Sequence, residues 1–136
     1  MTQATAFAIL KSGANIFLTG EPGSGKTFLV NQYVRYLRDH DIRVAITAST
    51  GIAATHISGV TIHSWSGIGI RKSLTPQELE FITGTERLIK QIISTAVLII
   101  DEVSMLDATT LDMVELVCRT VRKSPAPFGG LQVVLV

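Results

Sequence analysis

The chain has 136 residues, with 12 lysines and arginines against 11 aspartates and glutamates, for a net charge of +1. That length fits one domain, and 46% hydrophobic against 17% charged residues excludes a disordered segment. Near-neutral charge excludes bulk electrostatic attraction as a basis for binding DNA or acidic partners, and 6% aromatic residues leave no stacking platform visible in composition.

Taken in chain order, Thr2 to Ser12 predicts a helix with Thr2 as N-cap and Gly13 as its stop. Ile16–Thr19 is a short apolar run that predicts a buried strand. From Lys26, residues Leu29, Val30, Tyr33, Val34 and Leu37 recur at helical spacing. Val44–Thr47 predicts a second strand. Thr50 is placed to cap a short helix of small residues, with Gly59 to stop it. Val60 to Lys72, interrupted by Gly67 and Gly69, reads as a loop with at most one short strand. Thr75-Pro76-Gln77-Glu78 is a capping box with proline at the first helical position. From Glu86, residues Leu88, Ile89, Ile92 and Ile93 share one helical face. Val97–Ile100 predicts a third strand. After Asp107, an apolar stripe runs through Leu111, Val114, Val117, Cys118 and Val121. Leu131–Val136 predicts the last strand.

Apolar runs without alternation indicate strands covered on both faces. Alternation of strands with helices then gives an α/β fold, a parallel sheet with helices on both faces. The lone Cys118 cannot form an internal disulfide, and its apolar neighbours indicate a buried structural thiol. No apolar run reaches the roughly 18 residues a membrane span needs, and no basic stretch leads into an apolar one at the N-terminus. The chain stops on Val136, inside an apolar strand. This leads us to expect a fragment truncated on its C-terminal side, with exposed apolar surface and unpaired backbone at that strand and a tendency to self-associate.

Gly20-Glu21-Pro22-Gly23-Ser24-Gly25-Lys26-Thr27 fits G-x-x-x-x-G-K-[ST] between a strand and a helix. Glycines let the backbone wrap a phosphate with its amides inward. Lys26 supplies positive charge to the β and γ phosphates, and Thr27 offers a hydroxyl to Mg²⁺ at a helix N-terminus. Gly23, Ser24, Gly25, Lys26 and Thr27 are therefore the candidate ATP-binding residues. Val97–Ile100 delivers Asp101 and Glu102 to the carboxyl edge of the sheet, where ligands sit in open parallel sheets. Asp101 is the candidate Mg²⁺ ligand, through water. Glu102 is the candidate base that orients the attacking water, and Lys26 is its catalytic partner.

The stretch from Thr47 to Ser64 ends a strand in a cluster of hydroxyls. On physics alone it is either a contact for a phosphate backbone or a polar loop with satisfied hydroxyls. His63 by itself reads as structural, and Trp65 is either a base-stacking surface or a core residue.

Four segments carry a resemblance. Thr50-Gly51-Ile52-Ala53-Ala54 with Gly59-Val60-Thr61-Ile62-His63-Ser64 closely resembles motif Ia and its continuation in the PIF-one DNA helicase family, superfamily 1B enzymes related to RecD. Gly13 to Gly20 with the phosphate loop resembles the same family's motif I. Asp101-Glu102-Val103-Ser104-Met105-Leu106 is similar to its motif II, and Phe128-Gly129-Gly130-Leu131-Gln132 to the lead-in to motif III. The resemblance spans nearly the whole chain. It implies a RecA-like P-loop ATPase domain, with residues 1–136 as an incomplete first helicase domain, and ATP-driven 5′-to-3′ movement on single-stranded DNA with opening of duplex junctions. It implies Gln3 as an adenine-reading glutamine, and Thr50, Gly51, Thr61 and His63 as DNA contacts. It also implies an intracellular setting, cytoplasmic or nucleoid-associated in a bacterium. In the family a G-D-x-x-Q-L-P-P motif follows the last strand, and a second RecA-like domain brings an arginine finger; neither is in this chain. Two other readings remain at this point: a P-loop ATPase of another class, such as an AAA-type remodeller, and a non-catalytic nucleotide-binding module.

Overall fold

A computed structural model describes residues 1–21 and 23–136. The elements in chain order are α1 (Gln3–Lys11), β1 (Ile16–Phe17), α2 (Lys26–Asp39), β2 (Val44–Ala48), α3 (Gly51–His56), β3 (Val60–Thr61) and α4 (Ile62–Ser66). They are followed by α5 (Pro76–Thr83), α6 (Glu86–Ser94), β4 (Val97–Asp101), α7 (Ala108–Arg122) and β5 (Gln132–Leu135). Short 3₁₀ turns occupy Val103–Met105 and Pro127–Gly130.

Side-chain caps start most of the helices. Thr2 accepts from the Thr5 N–H, Thr50 from Ala53, Thr61 from Ser64 and Asp107 from Thr110. Thr75 and Glu78 exchange the reciprocal bonds of a capping box. Each such cap contributes about 1 kcal/mol by satisfying an N–H the helix leaves open.

The five strands are all parallel, in the order β1-β5-β4-β2-β3. Along β4, Val97 and Ile99 meet α1 and α2 through Leu10, Leu29, Tyr33 and Leu37. Leu98 and Ile100 meet Ile62, Ile92, Val114 and Val117 on the other face. Two helical layers therefore explain why Val97–Ile100 is apolar at every position. Gln132 is the one polar side chain in β5. Its amide donates to the Leu10 and Ala14 carbonyls and accepts from the Tyr33 hydroxyl at 2.6 Å. Burial pushes the Tyr33 phenol above its usual range despite that bond. Arg122 acts similarly on the opposite layer, donating to the carbonyls of Gly129, Ile92, Ile93 and Thr95.

Four expectations change. Val60 to Lys72 is not a loop with one strand, because Ile62–Ser66 forms α4, fixed by burial of Ile62 and Trp65 in the core. Trp65, 4% exposed, is thus a core residue and no stacking surface. Gly59 does not stop α3, which ends at His56 with Ile57 as its C-cap and Ser58 in the left-handed region. It is glycine because a Cβ there would strike the Ile46 carbonyl. The Leu131–Val136 run has no unpaired backbone edge over its strand, since β5 pairs with β1 on one side and β4 on the other. The strands at the two margins are instead β1 and β3; Phe17, 62% exposed, is not covered on both faces. Among the described residues no helix is long and apolar enough to cross a membrane.

Cys118 lies fully buried against the sheet, and burial pushes its thiol up to about 12. Cys118 is therefore expected to resist a disulfide reagent such as DTNB in the native chain and to react fully in denaturant; rapid native labelling would contradict this packing.

Candidate active site

The phosphate loop begins where β1 gives out. Leu18 N–H still donates to the Leu135 carbonyl at 2.7 Å, and the chain then leaves the sheet. Ser24 N–H closes a turn on the Glu21 carbonyl at 3.0 Å. Gly25 stands at φ 94°, in the left-handed region, where a side chain would be strained. From there Lys26 and Thr27 open α2, so the unpaired N–H groups of its first turn face the loop. Pro22, part of this run, lies outside the described residues.

The acidic pair is set by β4. The register pairs Ala48 with Asp101 on one side and with Thr61 on the other, so Thr61, Ala48 and Asp101 form one row across the carboxyl edge. Asp101 accepts the Glu102 N–H at 3.0 Å. Glu102 takes a left-handed backbone, φ 54° and ψ 43°, which is costly for a residue with a Cβ. Three bonds hold this corner. The Ser49 hydroxyl donates to the Glu102 carbonyl at 2.7 Å, the Ser49 N–H to the Asp101 carbonyl, and the Val103 N–H to the Val136 carbonyl.

One cavity of about 640 Å³ joins the two features. Gly23, Ser24, Gly25, Lys26 and Thr27 line it from the loop, and Asp101 and Glu102 from the sheet. The Gln3 side chain, exposed on the first turn of α1, reaches Gly25 and donates to its carbonyl at 3.4 Å. It stands at the phosphate loop without lining the cavity itself.

The residues expected at DNA divide into two places. Thr50 and Gly51 begin α3, where the Thr50 hydroxyl is committed to its cap. Thr61 and His63 lie in a separate hollow of about 870 Å³, also lined by Arg71, Lys72, Asp107 and Thr110. Thr61 likewise spends an acceptor lone pair on Ser64, leaving its hydroxyl hydrogen available. Asp107 is held below the usual carboxylate range, first by the hydrogen bonds from Thr110 and then by Lys72 and His63.

Sequence reasoning missed Ser49, whose only signal was a hydroxyl at a strand end, and did not foresee Arg71 and Lys72 beside His63. Those two follow α4, and without that helix nothing brings them back over Thr61.

The model of the PIF1-like helicase family matches residues 1–136. An ATP-dependent DNA helicase Pif1 of a Psychrobacter species is 55% identical over 135 residues, 99% of this chain and 20% of that protein. The ATP-dependent DNA helicase RRM3 of Saccharomyces cerevisiae is 43% identical over 129 residues, 93% of this chain and 18% of that protein. The crystal structure of the Candida albicans Pif1 helicase superposes with a TM-score of 0.90 at 36% identity, over 98% of this chain and 31% of that one. A Bacteroides Pif1 helicase in complex with ADP-AlF3 and ssDNA superposes at 0.81 and 31% identity, over 98% and 30%. The chain thus spans about a fifth of the length of the curated relatives it matches. A likeness that holds in sequence from Met1 to Val136 and again in the fold makes this chain a member of the PIF1-like helicase family.

Proposed function

We propose that this chain is the ATP-binding and ATP-hydrolysing part of a DNA helicase motor that moves 5′-to-3′ on single-stranded DNA and opens duplex junctions. The observation that carries the reading is the single cavity shared by the phosphate loop and the acidic pair at the carboxyl edge of a parallel sheet. Residues 1–136 form part of a first RecA-like domain. The second, with an arginine finger, belongs to the remainder of a longer protein acting inside the cell, where ATP and DNA meet.

In this reading the N–H groups of Gly23, Ser24 and Gly25 and the Lys26 ammonium hold the β and γ phosphates of ATP. Gln3 hydrogen-bonds the adenine edge. Thr27 and Asp101, a hydroxyl and a carboxylate that both line the cavity, would hold Mg²⁺. One hydroxyl and one carboxylate suit a small hard cation that keeps several of its waters. An ion held there would supply charge neutralisation at the phosphates. Glu102 accepts hydrogen bonds from the attacking water and aims it, with its strained backbone fixed by Ser49. Thr50, Gly51, Thr61 and His63 contact the DNA backbone, and the row from Thr61 to Asp101 sets the two functions two strands apart, about 10 Å.

Lys26→Ala is expected to lose most Mg-ATP affinity with the fold kept, checked by calorimetry; unchanged affinity would remove Lys26 from the phosphate site. Glu102→Gln should bind ATP normally yet turn over at least about 100-fold slower, because an amide cannot take the water's proton. Phosphate release at the native rate would end its role as base. Thr61→Ala with His63→Ala should weaken binding of single-stranded DNA uniformly across sequences and lower its salt dependence, sparing basal ATP hydrolysis. Loss of basal hydrolysis with DNA affinity intact would assign these residues to the fold instead.

A further inference from the structure

At the amino ends of the strands, opposite the nucleotide cavity, β2 runs past its partner. β4 pairs with β2 over Val44–Ala48, but β3 pairs only with Thr47 and Ala48. The Arg43 carbonyl bonds Ala96 and Val97 on the β4 side, and the Ile46 carbonyl faces Gly59. Val44 and Ile46 therefore point away from β4. β3 pairs with neither Val44 nor Ile46, and no turn, loop or side-chain bond engages the Val44 N–H and C=O or the Ile46 N–H among the described residues.

This free edge opens on a hollow of about 760 Å³ whose rim carries Arg38, Arg43 and Lys90, with Trp65 in its wall. None of its described lining residues is acidic. Lys90 pairs with Glu86 at 3.2 Å, both side chains largely in solvent. Asp41 lies in the adjoining recess that Arg38 and Arg43 share, without an ion pair to either among the described residues.

We propose that this hollow docks an acidic peptide segment in extended form, which adds to the free edge of β2 and sets its carboxylates against Arg38, Arg43 and Lys90. The backbone groups decide the class of partner. A peptide strand offers an N–H to the Val44 carbonyl and a carbonyl to the Val44 and Ile46 N–H groups. A phosphodiester backbone has no donor for that carbonyl, and Trp65 is too buried for a base to stack on. The site is independent of the motor reading, since none of its residues lines the nucleotide cavity or the Thr61 hollow.

Trp65 is the only tryptophan, so its emission reports on the hollow directly. The test titrates the chain with a short tryptophan-free peptide of alternating Glu and Val, its Gln/Val counterpart, and an oligothymidylate. The Glu/Val peptide should shift Trp65 emission and slow hydrogen exchange at the Val44 and Ile46 amides. Arg38→Glu with Arg43→Glu should weaken it roughly tenfold, as should the Gln/Val peptide, with Mg-ATP affinity unchanged. Lys90→Glu, on α6, gives a second reading should the double variant misfold. Exchange unchanged by the peptide, equal binding of the uncharged peptide, or displacement of the peptide by the oligothymidylate would each overturn the proposal.

Discussion

Five consecutive residue pairs, Val44–Val97 through Ala48–Asp101, join β2 to β4, and the ends of that ladder decide where everything reactive stands. At the carboxyl end the ladder stops at Asp101, and Ser49 carries the connection one residue further by binding the Asp101 and Glu102 carbonyls. The same end of β2 pairs Ala48 with Thr61, which starts α4 and places His63. A slip of one residue in this register would turn every buried side chain of β4 to the opposite face. It would also take the acidic pair out of the cavity that Gly23 to Thr27 line. The alternating contacts of Val97, Leu98, Ile99 and Ile100 with two helical layers guard against that slip.

Among the non-glycine residues in the left-handed region, Glu102 stands at the corner the ladder supports. The left-handed Glu102 sits between a buried strand and a 3₁₀ turn, where the Met105 N–H closes on its carbonyl at 3.0 Å and Ser49 adds a second donor. A carboxylate on such a corner stands out from the sheet edge and does not lie along the strand, so it faces the phosphate loop across the cavity. The loop answers with glycines at Gly23 and Gly25 in conformations a side chain resists. The two walls of the cavity are thus built from backbone shapes that are unfavourable alone and are held by neighbours.

Much of this was legible in the sequence because it is local. Caps at Thr2, Thr50 and Thr75 are readable from a single residue and its third neighbour, and the phosphate loop announces itself by spacing. The apolar run at Val97–Ile100 told of two covering layers because no position in it is polar. The illegible parts depend on distant partners. α4 is only five residues long and has no helical periodicity to read; Ile62 and Trp65 fold it by finding the core formed by α6 and α7. Gly59 looked like a helix stop because the Ile46 carbonyl that excludes a Cβ is thirteen positions upstream. Ser49 looked like one hydroxyl among several. Nothing in the run around Gln132 foretells that its amide closes on Leu10, Ala14 and Tyr33, over a hundred positions away for the first two. The strand order, with the last strand inserted between the first and the fourth, is equally a matter of long-range closure.

Arg122 carries a consequence of its own. One guanidinium donates to four carbonyls from two separate segments: the end of α6 with its cap Thr95, and the turn before β5. It works as a non-covalent cross-link. It ties these segments together beside a cysteine that has no partner, so this seam of the fold owes nothing to oxidation state and holds alike in reducing and oxidising surroundings. A lysine could not take its place, since a single ammonium lacks the planar fork that spans two directions at once.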